Sequence, residues 1–279
     1  VVNGHVRLDG GAMFGVVPKV LWARTQNVDE QNRILMAMRT LLAVNERASR
    51  IMLVDTGAGT KWTKEAADRY AIETDSGAID AALSDVGADR AAVTDVVVTH
   101  LHFDHGGGMT EWADEHGGAL RPCFPQARHW IHQRQLLHAQ KPSLRDRASY
   151  HTIDFDPLIK GELLTIIDGD PPPSTVPGVE WWVSDGHTPG QLLPHFRTLG
   201  DEPELLFVGD VIPTAAHLPA TWVMGYDLYP LTTLAEREKV HHLCRRNGLR
   251  LAFPHDASRG VVSVSFDEKG RPSVGEVLG

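Results

Sequence analysis

The stretch Val96-Val97-Val98-Thr99-His100-Leu101-His102-Phe103-Asp104-His105-Gly106-Gly107-Gly108 runs from an apolar, strand-like segment straight into three imidazoles and a carboxylate. In an extended chain, residues two apart point to the same side, so His100 and His102 can converge on one point. If the chain then coils at the glycines, Asp104 and His105 swing toward a second point close by. That spacing suits two metal ions better than one. Imidazole with carboxylate is a donor set for zinc, with iron, manganese and cobalt as alternatives. One surface histidine would carry no such reading, whereas this cluster after a valine run does. The three glycines fit a tight turn, a backbone without bulk beside the metals, or both.

Outward from this stretch, short β-rich segments alternate with helix-like pieces. Strands are predicted at His5–Leu8, Leu35–Val44, Arg50–Val54, Val96–Thr99, Leu163–Ile167, Val179–Val183, Leu205–Val208 and Leu249–Phe253. Helices are predicted at Thr63–Tyr70, Ile79–Val86, Gln133–Gln140 and Leu234–Asn247, the last closed by Gly248. This is an α/β or α+β pattern with helix-covered sheets. No repeat or linker-like tract interrupts residues 1–279, which read as a single domain. Thr110–Pro157, polar and rich in His, Arg, Gln and Pro, reads as an insertion or lid, and Pro171-Pro172-Pro173 as a stiff connector.

With 27 Lys+Arg against 36 Asp+Glu, the formal charge is −9, and no basic run could neutralise a phosphate backbone, so a nucleic acid partner is disfavoured. Cys123 and Cys244 stand far apart in no metal-ligand spacing and read as buried or idle thiols. No apolar stretch is long enough to cross a bilayer, and VVNGHVRLDGG lacks the layout of a secretory signal. The expectation is a soluble, cytoplasmic protein without a membrane partner, although a signal removed upstream of Val1 would leave no trace.

Two ions need more donors than the opening stretch supplies, and an α/β scaffold gathers them at strand ends. Three places fit: His187 in Ser184–Gly190 after one strand, Asp210 closing LLFVGD, and His255 closing LAFPH.

Taken in order, Asp55-Thr56-Gly57, THLHFDHGGG, GHTPG, FVGD and FPHD resemble the metallo-β-lactamase superfamily of hydrolases over most of the chain. The resemblance implies a four-layer αβ/βα sandwich, two mixed β-sheets flanked by helices, with the metals along one edge. It implies that His100, His102 and His187 hold one metal and Asp104, His105 and His255 the other, with Asp210 bridging. Asp55 would orient a ligand or simply form a turn. Zinc β-lactamases generally lack this Asp-His pair in the same form or place a cysteine at the Asp210 position, so penicillin hydrolysis is not favoured.

A finer resemblance, to YtnP-type quorum-quenching lactonases and the methyl parathion hydrolase group, is carried by Leu8–Trp22 (LDGGAMFGVVPKVLW) and Thr221–Pro230 (TWVMGYDLYP). It implies a homodimer and a lactone substrate, N-acyl-homoserine lactone first, opened by a metal-bridging hydroxide; an organophosphate or carboxylic ester is the alternative. Asp104 is the candidate catalytic residue, passing a proton to the leaving alkoxide. DGGAMFG reads either as an exposed apolar pair over a pocket mouth or dimer contact, or as cover for a sheet edge. Met13, Phe14, Trp22, His217 and Tyr226 are therefore candidate substrate contacts, with solvation of His217 and packing of Tyr226 and Tyr229 as the competing readings. Many homoserine lactonases carry a tyrosine three residues after the bridging aspartate, where this chain has Pro213. Gln191 is not assigned to a metal, and neither are His129, His132, His138, His241 and His242. Two other classes stay open: an iron redox enzyme, weakened by the lack of a flavin-binding segment, and a non-catalytic binding protein.

Overall fold

The valine run is the middle strand, Asp95–Val97, of a five-stranded sheet ordered Leu164–Ile167, Arg128–His132, Asp95–Val97, Arg50–Val54, Leu41–Asn45. The computed structural model describes residues 1–114, 117–197 and 203–279. Neighbouring strands are parallel except at the Leu41–Asn45 edge, so the sheet is mixed. Arg50–Val54 and Asp95–Val97 pair in the register Met52↔Asp95, Leu53↔Val96, Val54↔Val97. Asp55 therefore arrives beside the residues that follow Val97, and its N–H donates to the Val97 carbonyl at 2.9 Å. Leu53, Val96, Val98, Leu101 and Ile131 form the core with Leu83, from the helix Ala78–Asp85. Asp95 is buried at the base of its strand and fully used: Arg50 pairs with both its oxygens, and the Trp130 indole donates to it at 2.7 Å.

This sheet belongs to the first of two compact units, Val1–His5 with Met38–Gly169; the second is Val6–Ala37 with Asp170–Gly279. The second carries a six-stranded sheet ordered Val179–Ser184, Gln191–Phe196, Leu205–Phe207, Arg250–Ala252, Val261–Phe266, Pro272–Val277. Its ladders are antiparallel except between Leu205–Phe207 and Arg250–Ala252. That parallel pair is joined through the helix Pro230–Asn247, since parallel neighbours require a crossover. The helix begins at Pro230, earlier than the apolar period suggests, because proline is suited to a first helical turn; it ends where Gly248 takes φ +66°.

Two elements differ from expectation. Leu35–Val44 is two strands, Arg33–Arg39 and Leu41–Asn45, broken at Thr40, whose hydroxyl donates to the Asp55 carbonyl and accepts from Asn3. The stretch 110–157, of which 115 and 116 lie outside the described residues, contains the interior strand Arg128–His132, so that part is scaffold rather than lid. Its histidines were a poor guide to exposure: His129 and His132 are buried in the strand. Among the described residues no helix is long and apolar enough to cross a membrane.

Candidate metal centre

In the first unit, the centre is built on Asp55. Its backbone takes φ +58°, a left-handed conformation that aspartate tolerates better than most side chains. Three hydrogen bonds hold the buried carboxylate: Thr99 N–H donates to Oδ1 at 2.8 Å, the Thr99 hydroxyl to Oδ2 at 2.9 Å, and His105 Nδ1 to Oδ2 at 2.7 Å. A carboxylate can only accept here, so the proton of His105 sits on Nδ1 and the Nε2 lone pair is left for a ligand. Asp55 is therefore the orienting residue, and its turn is the means of reaching His105.

The Thr99 hydroxyl, spent as a donor to Asp55, faces His100 Nδ1 at 3.0 Å, which again leaves Nε2 outward. His100 Nε2 stands 3.1 Å from His102 Nδ1. Two nitrogens bound at about 2.0–2.1 Å in a tetrahedron stand about 3.3 Å apart, so this pair fits one ion. After His102 the chain coils, with the N–H groups of His105 and Gly106 both donating to the His102 carbonyl at 3.0 Å. Asp104 and His105 emerge from that turn, Asp104 Oδ2 4.0 Å from His105 Nε2. The glycines serve close approach more than turning: a Cβ on Gly107 would stand 2.4 Å from the Ala58 carbonyl, and one on Gly108 2.2 Å from that of Thr56.

In the second unit, register does the gathering. Phe207 pairs with Ala252, so Asp210 and His255, each three residues further on, leave the sheet side by side. His187 comes from the loop joining Val179–Ser184 to Gln191–Phe196, where Asp185 caps the turn by accepting the Gly190 N–H at 2.8 Å. His187 Nδ1 donates to Asp227 at 3.0 Å and His255 Nδ1 to the Ala37 carbonyl at 2.8 Å. Their Nε2 atoms address different oxygens of Asp210, His187 at Oδ2 (3.3 Å) and His255 at Oδ1 (3.2 Å). Asp210 thus has one imidazole at each of its oxygens. Gln191 is no donor to a metal in this set; its Oε1 accepts the Asp210 N–H at 3.0 Å.

All seven predicted donors are buried, His100, His102, Asp104 and His105 gathered in the first unit and His187, Asp210 and His255 in the second. The donor chemistry fits divalent cations of the zinc class: His105, His187 and His255 are each anchored at Nδ1, with a carboxylate oxygen beside Nε2. Asp227 and the Ala37 carbonyl were not anticipated. Asp227 sits in the quoted TWVMGYDLYP stretch as a carboxylate among aromatics, a signal that could have found it; a backbone carbonyl leaves none.

The candidate substrate contacts divide. Asp9 caps the helical turn Gly10–Phe14 by accepting the Ala12 N–H, and Met13, Phe14 and Trp22 are buried, which favours the covering reading of this stretch over an exposed apolar pair. Phe14 stacks between His217 and Trp22, with ring centroids 4.6 Å and 5.2 Å away. His217 is not solvated: it bonds Thr214 Oγ1 at 2.8 Å and the Met13 carbonyl at 2.9 Å, and burial pushes its pKa down to about 3. Tyr226 and Tyr229, expected to pack, are 39% and 53% exposed. Pro213 gives its carbonyl to the His255 N–H at 3.0 Å.

Among known proteins, the chain is similar to N-acyl homoserine lactonase AttM of Azorhizobium caulinodans, 28% identical over 179 residues, 61% of each chain. It is also similar to AttM of Rhizobium johnstonii, 26% identical over 193 residues, 66% of each. The match thus spans about three fifths to two thirds of these relatives' lengths. Among solved structures, a probable metal-dependent hydrolase from Staphylococcus aureus superposes with a TM-score of 0.85 at 26% identity, covering 100% of this chain and 96% of that one. AidC, a dizinc quorum-quenching lactonase in complex with a product, superposes with a TM-score of 0.76 at 18% identity, covering 100% and 94%, a likeness of fold. The model of the metallo-beta-lactamase superfamily matches residues 42–274, through the donors of both units, and the chain belongs to that superfamily.

Proposed function

We propose that the chain is a dinuclear metal-dependent hydrolase that opens a lactone ring, N-acyl-homoserine lactone first. The observation that carries this reading is that His105, His187 and His255 each have Nδ1 anchored to an acceptor, leaving Nε2 for a metal. Similarity to lactonases in sequence and fold supports the substrate class. In this reading the two units form one domain, and His100, His102 and His187 hold one cation, Asp104, His105 and His255 the other, with Asp210 between them.

Two zinc ions bound there would supply hydroxide near neutral pH and polarise the carbonyl. Asp55, Asp227 and the Ala37 carbonyl fix the imidazole tautomers, and Gln191 fixes the backbone of Asp210. Asp104 carries the proton to the leaving alkoxide, as a carboxylate 4.0 Å from the ligand nitrogen of His105. Tyr226, exposed and next to Asp227, takes the place of the tyrosine that Pro213 excludes. The homodimer belongs to the same reading; Val16, Val20 and Leu21 are 88%, 64% and 45% exposed and give the Gly10–Trp22 stretch an apolar outer face.

The test is a series of homoserine lactones of increasing acyl length, run beside aryl esters and phosphotriesters with metal content measured in the same preparation. Lactone opening that scales with two bound ions is expected. Fast phosphotriester turnover without lactone opening would replace the substrate assignment, and a native mass by light scattering checks the dimer.

A further inference from the structure

Arg237 sits in the helix Pro230–Asn247 with its side chain fully buried, and the hydrogen-bond acceptors on its guanidinium are all backbone carbonyls. A buried charge without a paired carboxylate is costly, and a well-packed apolar side chain of similar volume is often as stable or more so. The three carbonyls have a pattern that packing alone does not require. Nε donates to Val211 O at 2.5 Å; Nη1 donates to Trp222 O at 2.6 Å and reaches Pro219 O at 3.5 Å. Nη2 has no partner among the described residues.

Val211 directly follows Asp210 in the turn Gly209–Val211. Pro219 and Trp222 lead into the loop where Asp227 accepts the Met224 N–H at 3.2 Å and holds His187. One planar fork thus ties the turn that carries Asp210 to the loop that aims His187. Burial lowers the Arg237 pKa to about 10 while Asp227 and Asp210 pull it back up, so the group stays charged at neutral pH and its charge is felt at both carboxylates. We propose that Arg237 is a positioning residue: by gripping both segments with one rigid guanidinium, it sets the placement of His187 against Asp210 and so the affinity with which that pair takes a divalent cation.

The inference rests on the proposed metal-dependent reading, so its test reads metal uptake and not lactone turnover. The full chain is stripped with a chelator and titrated with zinc against a chromophoric competitor, for wild type, Arg237→Met, Arg237→Lys and Val240→Ala, with circular dichroism and thermal melts alongside. Arg237→Met is expected to keep its fold and bind one ion about 10–100-fold more weakly. Arg237→Lys, which keeps the charge without the fork, should fall between. Val240, buried on the same helix, is the control for mere packing: its truncation should lower the melting temperature and leave zinc affinity unchanged. Wild-type affinity in a folded Arg237→Met or Arg237→Lys protein overturns the proposal, as does an equal loss in Val240→Ala. A wild-type chain that takes up no zinc overturns the proposed function itself, and this inference with it.

Discussion

The two units assemble their donors by opposite routes. The first takes four from one uninterrupted stretch, where a strand end and one helical turn do the arranging. The second takes three from three separate strand ends, and relies on the Phe207↔Ala252 register and on Asp227, Gln191 and Ala37 to aim them. A contiguous set is written in local geometry; a dispersed set is written in packing, and should be the more easily disturbed from afar.

The largest contrast should come from the two carboxylates. Asp210→Ala is expected to lower kcat/KM on the order of a thousandfold with loss of an ion, since both imidazoles of its set address it. Asp104→Asn should cost roughly a hundredfold while retaining both ions. Lactone hydrolysis with parallel metal analysis checks both, and an Asp104→Asn enzyme as active as wild type would remove the proton role from Asp104.

Truncation of a core ring comes next. Phe14, stacked between His217 and Trp22, should cost about 3–5 kcal/mol of stability as Phe14→Ala, measured by urea unfolding. Unchanged stability would contradict the packing role of the ring. Asp55→Asn and Asp227→Asn form a matched pair, one orienting aspartate from each unit, each expected to weaken zinc binding about 10–100-fold. A much larger loss at Asp227 would sharpen the contrast between contiguous and dispersed sets; equal losses would blunt it.

Acid should act on both units through histidines held neutral by burial. His129 is lowered to about 4 and His217 to about 3, against an ordinary 6.5. As pH falls through about 6.5 the unfolded chain takes up a proton at each site and the folded chain does not, so stability falls. The decline should run from about pH 6.5 to about 4 for His129, and on to about 3 for His217, by at most a few kcal/mol each. Melting temperatures that stay level between pH 7 and about 4.5 would contradict this. The smallest effect is expected at the thiols: burial pushes Cys123 and Cys244 up to about 12, so neither should be alkylated in the native protein at neutral pH. Mass spectrometry after iodoacetamide treatment tests this.

How much could be read from the sequence follows the same division. His100 to His105 announce themselves because extended and helical periodicity are local rules, and the strand ends at Asp210 and His255 show because an apolar run stops at a polar side chain. Gln191–Phe196 escaped because Pro194 argues against an interior strand; its pairing with Leu205–Phe207 covers only His195 and Phe196 and so lies beyond the proline. Pro272–Val277, an edge strand with a proline and a glycine, offers little apolar alternation. Met13 and Phe14 stayed open between two readings because small glycines beside apolar side chains look alike in a loop and in a capped turn pressed into a core. Arg237 was invisible: nothing in TLAEREKV separates a buried arginine from its solvated neighbours.

The second unit's interleaved path has a consequence for how the protein is made. The carbonyl that receives His255 Nδ1 belongs to Ala37, 218 positions earlier, whereas Asp55 and His105 are 50 apart. During synthesis the Asp55–His105 arrangement can form before residues 170–279 are made. Residues 6–37 can pair among themselves but must instead wait for residues 170–279 before the rest of their unit closes over them. Closure over so long a stretch is slow and leaves apolar side chains such as Phe14 and Trp22 open to chaperones or to aggregation in the interval. Yield on expression should therefore respond more to temperature and translation speed than the melting temperature of the finished protein would suggest.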